Sequence, residues 1–203
     1  MSYTTPYLIP TGSGPLEGAD LEDAVHDAIA GITGLDGALV RPRLQPEPDN
    51  IPPAATAWAA FGFENRVTSE FPEIIHDGAA NAGVGADNLH QHETLTVRAS
   101  FYDLGAGGLA DKYAALLRDG LFIRQNQEGL AQSGILLISV GESTPAPVLL
   151  KIRWQYRTDL TFVIRRQIDR TYVVPNIASA EIGVETQSGS EPPSVTDIIV
   201  TNS

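Results

Sequence analysis

Residues 149–172 read LLKIRWQYRTDLTFVIRRQIDRTY, and apolar side chains occupy every second position over most of this stretch. The apolar positions are Leu150, Ile152, Trp154, Tyr156, Leu160, Phe162 and Ile164. The intervening positions are mainly polar, at Lys151, Arg153, Gln155, Arg157, Asp159, Thr161 and Arg165, and only Thr158 and Val163 break the pattern. A period of two predicts a β-strand with one buried face. At about sixteen residues and roughly 50 Å, this strand must bend at a bulge or extend beyond its own domain.

A second alternating segment, residues 91–101, predicts another strand. Its inward side chains would be Leu95, Val97, Ala99 and Phe101, with His92, Thr94, Thr96, Arg98 and Ser100 on the opposite face. Shorter strands are predicted at about 38–43, 54–63 and 135–140.

Two segments between these strands predict loops. Residues 42–53 contain five prolines, which exclude a helix and favour an extended loop. Residues 64–90 are polar and aperiodic, and they predict a long loop with one short strand near 71–76.

Two amphipathic helices are predicted to pack on the sheet. The first spans residues 20–33, with Asp20 as N-cap and Gly34 at its end, and the second spans 106–119 and ends at Gly120. The predicted apolar stripes are Leu21, Val25, Ala28, Ile29 and Ile32 in the first helix and Leu109, Tyr113, Leu116 and Leu117 in the second. A short helical turn is predicted at 125–133. Together these elements predict an α+β fold with a mostly antiparallel sheet and two packed helices.

The chain beyond Pro175 has few large apolar residues and predicts an extended acidic C-terminal arm. Strands are predicted at 177–186 and 195–200, separated by the linker-like sequence QSGSEPPS at 187–194. We therefore predict an α+β domain at 1–176 and an arm at 177–203. Such an arm could add a strand to the open sheet edge of a neighbour, and the alternative is a disordered tail.

The charges are unevenly distributed along the chain. The net charge is −12, and residues 1–40 carry six acidic residues without a lysine or arginine. Clustered cations are needed for tight binding to nucleic acid, so this balance disfavours specific nucleic-acid contacts. No apolar run reaches the roughly 18 residues of a membrane-spanning helix. The absence of cysteine excludes disulfides and thiolate metal sites.

The cations instead suggest a contact between subunits. Six of the thirteen basic residues lie between positions 151 and 170, at Lys151, Arg153, Arg157, Arg165, Arg166 and Arg170. Guanidinium groups favour bidentate contacts with carboxylates at interfaces. The hypothesis is that they pair with the first helix of a neighbouring subunit, which carries Asp20, Glu22, Asp23 and Asp27. The alternative is an ordinary solvated face.

Three further patterns in the sequence could form a metal, phosphate-binding or catalytic site. The sequence HQHE places His90 and His92 on one face of a strand, where a metal could use them with Asp87, although a polar strand end is the simpler interpretation. Gly105, Gly107 and Gly108 precede a helix but match no phosphate-binding motif, so a tight turn is favoured. Ser100 and Asp103 near His92 match no nucleophile motif. We therefore predict no catalytic, metal or cofactor site.

Several segments resemble the phage neck-terminator, or tail-completion, proteins. They are LVRPRLQPEPDNIP (39–52), AWAAFGF (57–63), HETLTVRASFYDLGAGGLADKYAALLRDGL (92–121) and LLKIRWQYRTDLTFVIRRQIDRTY (149–172), the last followed by Pro175 and Asn176. The similarity covers most of residues 38–176 and contains no catalytic signature.

The resemblance implies a non-enzymatic virion protein that is assembled in the host cytoplasm. It implies a ring of identical subunits, expected to be a hexamer, that caps the head-proximal end of the tail tube and joins it to the neck connector. In a contractile tail the C-terminal arm could also hold the sheath, and DNA would pass through the ring without specific binding. The alternatives are a head-completion or adaptor protein, a tube or sheath subunit, and a metal-binding enzyme domain using His90 and His92.

Overall fold

The structure is a computed structural model that describes residues 7–12, 14–44, 56–103, 108–150, 153–176, 179–185 and 195–201. Side chains are described as far as residue 176, apart from those of residues 150 and 153. The chain forms two compact units. The larger comprises the described parts of 12–73 and 89–170, and the smaller comprises those of 1–11, 74–88 and 171–203.

The helices and strands follow one another in mixed order. In chain order they are α1 (Ala19–Thr33), a 3₁₀ turn (Gly37–Leu39), β1 (Val40–Pro42), β2 (Trp58–Thr68), β3 (Glu73–Asp77), the one-turn helix α2 (Ala80–Gly83), β4 (Ala86–Asp103), α3 (Leu109–Gly120), α4 (Arg124–Gln132), β5 (Ile135–Pro145), β6 (Val148–Leu150), β7 (Arg153–Tyr172), β8 (Ser179–Glu185) and β9 (Val195–Thr201).

The main sheet is open and has the strand order β1-β2-β4-β7-β5, with β6 pairing to β7 and β3 to β4. Strand β1 runs parallel to β2, whereas β2 with β4, β5 with β7 and β6 with β7 are antiparallel pairs. The predicted mixed α+β class with a mostly antiparallel sheet is therefore confirmed.

Strand β7 confirms the long alternating strand predicted from its sequence. Leu160, Phe162, Ile164 and Ile168 are buried on its inward face. Thr158 is buried on the same face, where its hydroxyl donates to the Asp111 carboxylate of α3. It therefore interrupts the apolar pattern of the sequence but not the alternation of side chains along the strand. The prediction is wrong for Trp154 and Tyr156, which are more than half exposed, whereas Gln155 between them is buried. At this end of the strand the predicted inward face is therefore the exposed one.

Strand β4 confirms the second alternating segment and extends it toward the N-terminus. Leu95, Val97, Ala99 and Phe101 have no exposed surface. The long loop predicted at 64–90 is wrong, because β2 continues to Thr68 and β4 begins at Ala86. The short strand expected near 71–76 is confirmed by β3, whose five residues are all exposed. A strand without a buried face shows no apolar alternation, and this is why the sequence suggested a loop.

Helix α1 matches its prediction except at its beginning. Gly34 ends it in the left-handed conformation at φ 72°, and its N–H donates to the Ala30 carbonyl over 2.9 Å. The predicted N-cap is wrong, because Gly18 occupies that position and Asp20 lies in the first turn. There the carboxylate still interacts favourably with the helix dipole.

Helix α3 begins at Leu109 and only partly follows the predicted stripe, in which Leu117 is buried and Tyr113 packs against the core. Its buried residues are Ala110, Ala114 and Leu117, whereas Leu116 is 41% exposed. The small alanine side chains allow the backbone of α3 to approach the core closely. The size of the side chains, more than their hydrophobicity, therefore determines which side of α3 is buried. The predicted turn at 125–133 is confirmed by α4.

The core of the larger unit is formed by the inward sheet face and helices α1, α3 and α4. Leu21, Val25 and Ile29 of α1 share one buried cluster with Phe101 of β4 and Leu160 of β7. Gly120, the last residue of α3, packs against the Cγ2 methyl of Ile32 in α1. In the part of the chain that the structure describes, no helix has the length and apolar character needed to span a membrane.

The smaller unit contains the β8–β9 hairpin, in which Ser179 pairs with Thr201 and Glu185 with Val195. Thr11 also forms an antiparallel bridge with Thr171. The predicted strands at 177–186 and 195–200 are confirmed, whereas the linker at 187–194 lies outside the described residues. The predicted division of the chain at residue 176 stays a prediction.

Two helical glycines provide a matched test of packing in the core. A Cβ atom at Gly120 would collide with Ile32, whereas one at Gly129 in α4 meets open space. We expect Gly120→Ala to lower the free energy of unfolding by about 1–3 kcal/mol because of overpacking. Gly129→Ala should raise it by about 0.5–1 kcal/mol, since the backbone entropy of the unfolded chain falls. Urea unfolding would measure both, and equal effects would contradict the close approach of α1 and α3.

Candidate assembly surfaces

The six cations of the proposed interface do not form one exposed surface. Arg166 has only 5% of its surface exposed, its Nε lies 2.6 Å from Oε2 of Glu93, and it also donates to the Leu16 carbonyl. A buried charge is tolerated when it is paired and hydrogen-bonded, and here both conditions are met. Position 166 has the same parity as Ile164 and Ile168, so the strand period already indicated an inward side chain.

Two other arginines of β7 also have partners within the larger unit. Arg170 Nη2 lies 2.5 Å from Glu17 Oε1, and Arg157 Nη2 lies 3.0 Å from Asp159 Oδ2. Asp159 is in addition 3.9 Å from Nη1 of Arg98. Arg165 is exposed. Lys151 and the side chain of Arg153 lie outside the described part, and contacts of the six cations with a second subunit stay a prediction.

The acidic residues of α1 do form an exposed surface. Asp20, Asp23 and Asp27 recur at intervals of three and four residues, so they lie on one side of the helix, and all three are exposed. Glu22 is partly buried. Because α1 contains no lysine or arginine, no such cation of the helix neutralises the negative charge of this side. His26 is the adjacent partner of Asp27, with Nδ1 and Oδ1 2.9 Å apart.

A groove lies beside this acidic surface, between α1 and α4, and has a volume of about 450 Å³. Its apolar lining includes Ala28, Ile32 and Leu130, with Asp27 as the acidic residue. Gly31 and Gly129 also line this groove, which we call the α1–α4 groove.

Strands β6 and β7 form a hairpin with an exposed apolar surface. Leu149 is the cross-strand partner of Trp154, and Tyr156 lies two positions further along the same face of β7. Their exposed fractions are 54%, 57% and 52%, respectively. We call Leu149, Trp154 and Tyr156 the hairpin patch. The sequence of residues 148–157 adds three cations and no acidic residue.

One of the two histidines of the possible metal site, His90, has another partner. His90 Nδ1 lies 2.7 Å from Asp169 Oδ1, and hydrogen bonds from Gln167 and His90 hold the pKa of Asp169 below its usual value. Asp87 contacts His76 and belongs to a different cluster. Among the described residues, no group of three or more histidines and carboxylates is arranged to hold a metal ion.

The glycines before α3 lie partly outside the described residues, since these begin again at Gly108. The buried carboxylate of Asp103 accepts a hydrogen bond from the Leu109 N–H over 3.1 Å. A first-turn N–H group that could have contacted an anion is therefore satisfied by the protein itself. Asp103 is not predictable as a capping residue from the sequence, because it precedes its partner Leu109 by six positions.

The smaller unit contains a histidine cluster that the sequence did not indicate. His76 Nδ1 lies 2.7 Å from Asp87 Oδ1, and Nε2 lies 2.8 Å from Asn176 Oδ1. The Asn176 side-chain amide donates to the carbonyls of Gly78 and Gly83, at 2.9 Å each. This orientation presents the Asn176 oxygen to His76, so both ring nitrogens must donate. The two hydrogen bonds therefore favour the protonated imidazole.

The chain is an α+β protein with an open sheet. Its exposed acidic residues lie on α1, and its exposed apolar and aromatic residues form a separate patch on the β6–β7 hairpin, as in subunits of assemblies. It belongs to the phage neck terminator protein family, which matches residues 19–189. It is therefore a structural protein of the phage neck and tail and a component of the virion. No curated protein matches the sequence.

The Arg166–Glu93 pair gives a test of whether Arg166 acts inside the subunit. We expect Arg166→Met to lower the free energy of unfolding by about 3–5 kcal/mol, because Glu93 is left as an unpaired buried charge. The double variant Arg166→Met, Glu93→Leu should be less destabilised than the single variant. Arg165→Met, which changes an exposed arginine, should stay within about 0.5 kcal/mol of the parent. Denaturant unfolding would measure all three, and an additive double variant would contradict the pairing.

The His76 cluster predicts a dependence of stability on pH. The hydrogen bonds to Asp87 and Asn176 raise the pKa of His76 above its ordinary value of 6.5. A raised pKa in the folded state contributes stability below pH 6.5, and the contribution disappears as the pH rises through the folded-state pKa. NMR titration of the imidazole should show the raised pKa, and Asp87→Asn should lower it. A pKa at or below 6.5 would contradict stabilisation of the protonated imidazole by these hydrogen bonds.

Proposed function

We propose that the protein is a subunit of a closed ring, most simply a hexamer, at the head-proximal end of the tail tube. The ring terminates growth of the tube and joins the tail to the neck connector. Its mechanism is geometric: one face matches the last ring of the tube, and the other offers tube subunits no surface on which to add. The membership of the chain in the neck terminator family over residues 19–189 is the observation that carries this proposal.

The surfaces of the larger unit support the ring. The exposed acidic side of α1 and the exposed Arg165 of β7 lie on different elements and carry opposite charge. A contact between two different surfaces is heterologous, and it closes into a ring when the rotation between neighbours permits. The acidic balance of the chain also suits a channel through which DNA passes without binding.

The C-terminal segment is our candidate for a contact with the sheath, if the tail is contractile. Its two strands pair with each other in an antiparallel hairpin, and a hairpin can add to an open sheet edge of another protein through main-chain hydrogen bonds. In the same proposal the segment after Asn176 is a separate arm, and the domain at 1–176 forms the ring.

Complementation of a phage that lacks this protein tests the proposal. We expect particles without the protein to have tails of uncontrolled length and heads that are not joined to tails, and the full chain should restore both. The purified full chain should form one ring of defined mass in native mass spectrometry and negative-stain images. A chain truncated after Asn176 should restore the tail length and lose the sheath.

Two outcomes discriminate between the functions. Tails of normal length in the absence of the protein would contradict a terminator and favour a head-completion or adaptor protein. Long tubes formed by the purified chain alone would indicate a tube or sheath subunit.

A matched pair of triple variants tests whether the acidic side of α1 joins the subunits. Asp20→Asn with Asp23→Asn and Asp27→Asn should weaken the ring. Glu70→Gln with Glu73→Gln and Glu142→Gln, which changes three other exposed acidic residues, should leave it intact.

A further inference from the structure

Asn176 attaches the segment that follows β7 to the turn between β3 and β4. Its side-chain amide donates to the carbonyls of Gly78 and Gly83, at 2.9 Å each, and its backbone N–H donates to the Val84 carbonyl over 2.7 Å. All of these groups belong to the smaller unit. Because Asn176 lies three residues before β8, these bonds anchor the chain close to the start of the C-terminal hairpin.

The turn that accepts these bonds is strained. Asn81 and Ala82 of α2 both have a left-handed backbone, with φ of 53° and 58°. This conformation is unfavourable for a residue with a Cβ atom, and Ala82 has no polar side chain that could offset its cost by a local hydrogen bond. Strained residues persist only where surrounding contacts hold them, and they are frequent in segments that switch. The three bonds from Asn176 are contacts of this kind.

His76 contacts the remaining polar atom of the Asn176 side chain. Its Nε2 lies 2.8 Å from Asn176 Oδ1, and its Nδ1 lies 2.7 Å from Oδ1 of Asp87. Both oxygens can only accept, so the protonated ring satisfies both contacts and the neutral ring satisfies one. The carboxylate is the stronger acceptor, so the neutral ring keeps its hydrogen on Nδ1. A lone pair of Nε2 then faces a lone pair of Asn176 Oδ1.

The charged groups that act on His76 are acidic. Asp87 lies on β4 and Asp77 follows His76 on β3, whereas the segment after β7 presents the neutral amide of Asn176. The hydrogen bonds and these negative charges together raise the pKa of His76 above its ordinary value of 6.5. The contact with Asn176 is therefore attractive in acid, and it becomes repulsive as the pH rises through the folded-state pKa.

We propose that His76 is a pH-dependent latch for the C-terminal segment. The protonated imidazole holds the Asn176 amide, and this amide holds the strained turn at 79–85. When the imidazole loses its proton, repulsion between Nε2 and Oδ1 weakens the attachment, and residues 173–176 separate from the turn. The inference does not depend on the ring or on the terminator role. If the C-terminal segment contacts a sheath, the latch controls how firmly that segment is attached.

Hydrogen–deuterium exchange of the purified full chain tests the latch. Rates corrected for intrinsic exchange should be followed from about pH 5 to 9, on both sides of the His76 titration, in peptides that cover residues 173–177 and 79–85. Both peptides should be protected in acid and should lose protection severalfold as the pH rises through the folded-state pKa of His76. Peptides of β4 around the buried Val97 should keep their protection, because the release is local.

Three variants separate the latch from other effects of pH. His76→Ala should exchange rapidly in both peptides at every pH, and Asp87→Asn should move the loss of protection to lower pH. His92→Ala, which changes an exposed histidine of the larger unit, should keep the pH profile of the parent. Protection at 173–177 that is independent of pH in the parent chain would overturn the latch, and so would a pH dependence that survives in His76→Ala. Neither result would contradict the terminator role, which complementation tests.

Discussion

The buried ion pair between Glu93 and Arg166 constrains much of the larger unit. Both side chains are less than one-tenth exposed, and Arg166 also binds the carbonyl of Leu16, which precedes α1. A buried guanidinium without these partners would cost several kcal/mol, so the segment before α1 is held against β7. The ion pair of Arg170 with Glu17 strengthens the same attachment.

The position of α1 in turn creates the acidic surface on which our proposed ring depends. Its apolar side, with Leu21, Val25 and Ile29, belongs to the core, so Asp20, Asp23 and Asp27 must face away from it. The close approach of α1 to Gly120 and the neighbouring α4 leaves the groove between two helices. One set of packing requirements thus produces both an acidic surface and an apolar site beside it.

The strands show how much of the fold follows from periodicity. The inward apolar faces of β4 between Leu95 and Phe101 and of β7 between Leu160 and Ile164 were predictable, because each faces the core and places an apolar residue at every second position. Strand β3 was predictable only in position, because its residues are all exposed and no apolar side repeats. The beginning of β4 was missed because Asp87, Asn88 and His90 are polar and give no apolar alternation. In α3 the stripe was misjudged for a related reason: Ala110 and Ala114 are buried by their small size, which a hydrophobic pattern does not reveal.

The amino-acid sequence by itself determined the α+β class, the long alternating strand, the acidic first helix and the family resemblance, since these depend on local periods and composition. The tertiary structure decided which charges are available for partners. In the sequence, nothing distinguishes Arg157, Arg166 and Arg170 from Arg165. In the structure, the first three pair with carboxylates of their own chain, whereas Arg165 is exposed. It also brought His76 to Asn176, a hundred residues away in the sequence. Pairing between distant segments depends on how the sheet and helices pack, and no local pattern encodes it.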